Sequence, residues 1–127
     1  MDLYSEIILD HFKNPKNKGK IANPTKKAEE YNALCGDKLI LYLKIAKGPK
    51  GKVTEAKFDG EGCAISQASA DMLTDKLIGL TTAQIAKLTP KDIYKLLGIE
   101  ISPGRIKCAL LSLETTKKAL FGRPRRI

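Results

Sequence analysis

The sequence predicts an α+β domain, with a small antiparallel β-sheet of about three strands covered by helices. Three observations lead there. Alternating apolar and polar segments fall between residues 26 and 59. Helical patterns separated by cap and turn residues fill the chain from residue 64 onward. Strands that come first and helices that come after argue for an antiparallel sheet with helices packed over it. At 127 residues the chain is read as one domain spanning 1–127, long enough for a real core.

The elements follow in order. Residues 3–12 predict a helix with Leu3, Ile7, Ile8 and Phe12 on its apolar side, ended by Pro15. Pro15, Gly19 and Pro24 make 15–24 a turn-rich connector. Residues 26–31 form a weak strand candidate. Residues 38–46 alternate well, with Leu39, Leu41, Leu43 and Ile45 on one face. Lys47-Gly48-Pro49-Lys50-Gly51 reads as a hairpin loop, and 52–59 as the returning strand. Helices are expected at about 64–79, 82–88 and 90–97. Thr81 or Thr82 and Thr89 are suited to N-caps, Pro90 to a first helical position, and Gly98 to a helix end. Ser102-Pro103-Gly104 leads into a last helix over 105–121, which Gly122 ends. There are no internal repeats and no low-complexity segment.

The charge balance raises one rival reading. Lys and Arg number 23 against 14 Asp and Glu, a net charge of +9. Yet the cations are spread over a strand and hairpin (Lys44, Lys47, Lys50, Lys52, Lys57), helix faces (Lys87, Lys91, Lys95, Lys117, Lys118) and the terminal Arg123, Arg125 and Arg126. Aromatic residues make up 6% and no Trp is present, so no stacking pattern for nucleic acid is visible. The charge reads as a solvated surface, suited to docking acidic protein partners. No specific nucleic-acid motif supports the rival. No apolar run approaches the ~20 residues of a membrane span, and the acidic, amphipathic start is unlike a signal or transit peptide. An odd cysteine count excludes a complete disulfide framework, and thiols kept available for metal suit a reducing, cytoplasmic compartment.

Cys35, Asp37, Cys63 and Cys108 carry the chemistry. Cys35-Gly36-Asp37 precedes the alternating strand, Cys63 follows Gly60-Glu61-Gly62 and opens a helix, and Cys108 closes Arg105-Ile106-Lys107-Cys108. Three thiolates and a carboxylate are a full tetrahedral set for zinc or for iron in an iron–sulfur cluster. Three scattered cysteines with no C-x-x-C pair suit small buried hydrophobes equally well on spacing alone. Two features favour chemistry. Ile106, Ala109, Leu110, Leu113 and Leu120 form one stripe of the last helix, and Cys108 is expected to point roughly 140° from its centre. Glycines beside Cys35 and Cys63 leave room for another group to approach. Cys63 at a helix start and Lys107 beside Cys108 would favour the thiolate forms that bind soft metals and attack persulfides. The single histidine, His11, is read as a surface or partly packed residue rather than a ligand.

The segment from Tyr4 to Gly19 with its Asn14-Pro15 turn, Cys35-Gly36-Asp37, the Gly60–Ser66 stretch and Arg105-Ile106-Lys107-Cys108 together resemble the IscU/NifU-type iron–sulfur cluster assembly proteins, a family that includes the SufU branch. The resemblance covers about residues 3–120. It implies a SufE/NifU-like fold and a scaffold that accepts sulfur from a cysteine desulfurase. Such a scaffold builds a [2Fe–2S] cluster from iron and sulfur and passes it to apo iron–sulfur acceptor proteins. It implies Cys35, Asp37, Cys63 and Cys108 as ligands, Cys108 and Cys35 as candidate persulfide acceptors, and Lys107 in support. The alternative that it implies is a SufU-like zinc-dependent sulfurtransferase, with zinc on the same residues at rest. Departures from the family pattern are specific. The IscU pattern has His before the third Cys, where this chain has Lys107. Arg-x-Lys-Cys is SufU-like, but the interval from Cys63 to Cys108 has the shorter IscU length. The Leu-Pro-Pro-Val-Lys segment read by a dedicated chaperone corresponds to Ile101-Ser102-Pro103-Gly104-Arg105, and the loss of one proline argues against that chaperone. A monomer and a cluster-bridged dimer both remain open on sequence.

Overall fold

The computed structural model describes residues 3–33, 36–48 and 50–122. Cys35, Pro49 and the terminal arginines of the sequence reading lie outside the described residues. The elements run α1 (Leu3–Lys13), β1 (Lys26–Asn32), β2 (Asp37–Ile45), β3 (Val53–Glu61), α2 (Ala64–Leu77), α3 (Thr82–Ala86), α4 (Pro90–Leu97), a 3₁₀ turn (Pro103–Arg105) and α5 (Ile106–Phe121). The fold is α+β, with one antiparallel sheet ordered β1-β2-β3 and helices covering it.

Alternation places the sheet's buried row. Leu39, Leu41 and Leu43 are all but inaccessible, as the strand pattern of residues 38–46 implies. Ile45 leaves that row half-buried, because the β2–β3 register slips between Lys44 and Ile45. The weak candidate at 26–31 is a true edge strand. It pairs with β2 along its whole length, from Lys26 opposite Leu43 to Asn32 opposite Asp37. Beyond β3, the connector after α1 is tied by Gly19 N–H to Phe58 O at 2.8 Å and Phe58 N–H to Asn17 O at 3.0 Å. That contact covers part of an edge that would otherwise present open backbone groups.

Local chemistry also sets the helix ends. Thr81 Oγ1 accepts from Gln84 N–H at 3.1 Å while Gln84 Oε1 accepts from Thr81 N–H at 2.9 Å, a reciprocal capping box at the start of α3. Asp92 Oδ2 accepts from Thr89 N–H at 2.8 Å at the start of α4. Gly98 ends α4 with φ +69°, a left-handed position that suits glycine. The main core lies between the sheet and α2, α4 and α5, around Leu41, Leu43, Leu73, Leu77, Ile93, Leu97 and Leu113. A smaller cluster of Leu39, Phe58, Ala70 and Leu111 underlies the sheet end where β2 begins.

One expectation fails here. Cys108 does not face away from an apolar stripe; it is fully buried, whereas Ile106, placed in that stripe, is exposed. The reason is that α5 is packed on several sides, by β1, β2, α2 and α4. From Cys108 through Leu113 every residue of α5 is buried, Ser112 included. Where a helix is covered on several sides, a single apolar stripe no longer marks its buried residues.

Candidate metal centre

Three elements converge at one end of the sheet. Asp37 is the first residue of β2 and shares a face with Leu39, Leu41 and Leu43, so its side chain lies on the helix-covered side. Cys63 is the N-cap of α2, with an extended backbone (φ −71°, ψ 170°). Cys108 lies in the first turn of α5. Their ligand atoms all lie within 4.8 Å of one another. Ligands of a closed tetrahedral zinc or iron centre sit about 3.3–3.8 Å apart, as bonds of about 2.0–2.3 Å require. The spacing of this donor set is therefore close to what such a centre requires.

The carboxylate is held by the site itself. Asp37 is buried, and its Oδ1 accepts from Cys63 N–H at 3.0 Å. Its Oδ2 faces Asn32 Nδ2 at 3.4 Å. Gly62 makes this approach feasible, because a Cβ there would stand 2.6 Å from Asp37 Oδ1 and would also strike Ser66 Oγ. The two thiol-bearing helices are pinned to each other below the site. Ser69 Oγ of α2 donates to Ala109 O of α5 at 2.7 Å and lies 2.9 Å from Ser112 Oγ.

The cation beside the thiols is Arg105. Cys63 above all, and Cys108 by hydrogen bond and charge, hold the Arg105 guanidinium above its ordinary range. Arg105 caps α5 and stands three residues before Cys108, which puts the two on one helix face. Lys107, assigned the supporting role from sequence, is one residue before Cys108 and so about 100° around the helix. It is exposed and lines a cavity of about 300 Å³ with Tyr31, Asn32, Ala33, Leu111 and Glu114. There its charge acts to lower the Glu114 carboxyl, which burial and the neighbouring Glu30 push up.

Asp37, Cys63 and Cys108 are thus brought together, and Cys35 lies outside the described residues. His11 takes no part: its Nδ1 lies 2.6 Å from Asp71 Oδ2, joining α1 to α2. Two residues escaped sequence reasoning. The three-residue offset from Cys108 was a usable signal for Arg105. Asn32 carried none, since a polar residue at a strand end reads as turn chemistry.

The model of one protein family, "NifU-like N terminal domain", matches residues 3–127. The chain is 36% identical to "Iron-sulfur cluster assembly scaffold protein IscU" of Thermotoga maritima, over 93% of this chain and 92% of that protein. It is 37% identical to "Zinc-dependent sulfurtransferase SufU" of Bacillus subtilis, over 93% of this chain and 89% of that protein. A crystal structure of a putative iron–sulfur cluster assembly scaffold protein for the SUF system from Fervidobacterium islandicum superimposes with a TM-score of 0.74 at 36% identity, covering 92% of this chain and 96% of that one.

Proposed function

The chain belongs to the NifU-like N terminal domain family, and from that premise we propose that it is an iron–sulfur cluster assembly scaffold. The observation that carries this reading is the convergence of Asp37, Cys63 and Cys108 within 4.8 Å at the starts of three elements. The cluster is cargo, built here and then released. In this reading Cys35, Asp37, Cys63 and Cys108 hold a [2Fe–2S] cluster in a single cytoplasmic domain. A cysteine desulfurase supplies the sulfur and apo iron–sulfur proteins receive the product.

The chemistry follows from the donor set. A thiolate of Cys108 or Cys35 attacks the outer sulfur of the donor's persulfide, the S–S bond breaks, and the donor leaves as a thiolate. Arg105 offsets the negative charge gathered on the thiolates while this happens. Thiolates hold iron firmly, whereas the carboxylate of Asp37 is a harder and weaker partner for it. A set with one weak corner suits a site that releases what it binds, where a permanent electron-transfer site would favour four thiolates.

The test is anaerobic reconstitution of the reduced protein with ferrous iron and a sulfide source. The expected result is visible sulfur-to-iron charge-transfer absorption that an apo-acceptor then depletes. Tight stoichiometric zinc with stimulated desulfurase turnover, and no cluster, would replace this reading with that of a zinc-dependent sulfurtransferase.

A further inference from the structure

Asn32 is the last residue of β1 and stands directly opposite Asp37 in the sheet register. It is 7% exposed. Its Nδ2 lies 3.4 Å from Asp37 Oδ2 and 3.5 Å from Cys108 Sγ. One buried amide nitrogen thus directs its two hydrogens at two of the three converging ligand residues. Buried amides are rarely left without partners, and here both partners carry the site's chemistry. The residue also forms part of the wall of the 300 Å³ cavity.

We propose that Asn32 is a positioning residue of the site, holding the Asp37 carboxylate and the Cys108 thiolate in ligand geometry before metal arrives and keeping its hydrogen bonds to both afterwards. The inference rests on the ligand set proposed above. Asp37 is gripped from two sides, and the grips differ. The Cys63 N–H bond to Oδ1, at 3.0 Å, is the shorter and involves fixed backbone. The Asn32 bond to Oδ2, at 3.4 Å, is the looser and comes from a side chain. Oδ2 is therefore the less tightly held of the two oxygens, and Asn32 is the group that steers it. Because the same nitrogen reaches Cys108 on α5, the strand end and the helix start are set relative to each other through one side chain. Groups that orient metal ligands in this way govern affinity about 10–100-fold in known sites.

The test uses cobalt(II) as the probe, titrated anaerobically into the reduced, metal-free protein. Wild type should show thiolate-to-cobalt charge transfer and tetrahedral ligand-field bands. Asn32→Leu, which keeps the bulk and loses the donors, should bind cobalt(II) about 10–100-fold more weakly, with weakened ligand-field bands and an unchanged far-UV dichroism. Asn32→Gln, whose extra methylene the adjoining cavity can take, should recover most of the affinity. Cobalt(II) binding by Asn32→Leu with wild-type affinity and spectrum overturns the inference and leaves the ligand set standing. Wild-type protein without the charge-transfer band overturns the ligand set, and the inference with it. If Asn32→Leu does not fold, wild-type protein loaded with NMR-active cadmium decides: a through-hydrogen-bond coupling from an Asn32 side-chain proton to cadmium is expected, and its absence overturns the inference.

Discussion

Two single charges on the site have separable effects. Arg105 lies beside both thiols, with Cys63 the stronger influence, and is itself exposed. An adjacent cation favours the reactive thiolate. Arg105→Gln should slow alkylation of Cys63 several-fold in metal-free protein at neutral pH, and added salt should shrink the difference, as screening of an exposed charge requires. Lys107→Gln should leave that rate nearly unchanged, since Lys107 acts on Glu114; equal slowing by both would show that the thiols sense only the general positive field. Asp37 is the second charge. Asp37→Ala should give a longer-lived cluster that transfers more slowly, read as absorbance over time with and without an apo-acceptor. It should also cost about 1–3 kcal/mol of stability by orphaning the Cys63 N–H. Faster decay and faster transfer than wild type would contradict the weak-corner account.

At the scale of elements, the connection of α1 to the rest of the fold runs through a buried carboxylate. Asp71, on α2, is fully buried. Its Oδ1 accepts from Asn17 N–H at 2.8 Å, its Oδ2 lies 2.6 Å from His11 Nδ1, and its carbonyl accepts from Asn17 Nδ2 at 3.2 Å. The side chain thus ties together α1, the connector behind it and the middle of α2. Asp71→Ala should lower stability by about 1–3 kcal/mol, because Asn17 N–H loses its acceptor. The loss should be uneven. Amide hydrogen exchange should accelerate first in α1, while β2 and α5 keep their protection, as expected of a locally opening unit. Uniform acceleration across the chain would mean that α1 is not a separable element.

For the molecule as a whole, pH sensitivity has an identifiable contributor in Glu114. Burial, and then repulsion from Glu30, push its carboxyl above the ordinary value of 4.5, with Lys107 opposing. Below that ordinary value the folded and unfolded chains both carry the proton, and the group has no effect on stability. As pH rises from 4.5 toward the raised folded value, the unfolded chain ionises first, so stability falls through that window and the loss persists above it. Glu114→Gln should therefore raise the melting temperature at neutral pH and leave it unchanged in acid. Partial solvation keeps the gain under about 1 kcal/mol. A melting temperature raised equally at both pH values would point to packing instead of charge.

Periodicity, caps and turn chemistry are local, and they were legible in the chain. Leu39, Leu41 and Leu43 alternate because one face of a strand is buried, and Thr81, Thr89, Pro90 and Gly98 mark helix ends because backbone groups there lack intrahelical partners. The same local chemistry singled out Asp37, Cys63 and Cys108, each at or beside the start of an element. What lay beyond it depended on how those elements meet. The burial of Cys108 follows from α5 being covered on several sides, a condition that a single helical stripe cannot report. The nearness of Arg105 to Cys63 as well as to Cys108 follows from the meeting of the starts of α2 and α5. The role of Asn32 follows from the pairing of β1 with β2 against α5, which brings residues 32 and 108 within 3.5 Å. Hydrogen bonds between groups so far apart in the chain leave no pattern along it, so only the tertiary structure decided them.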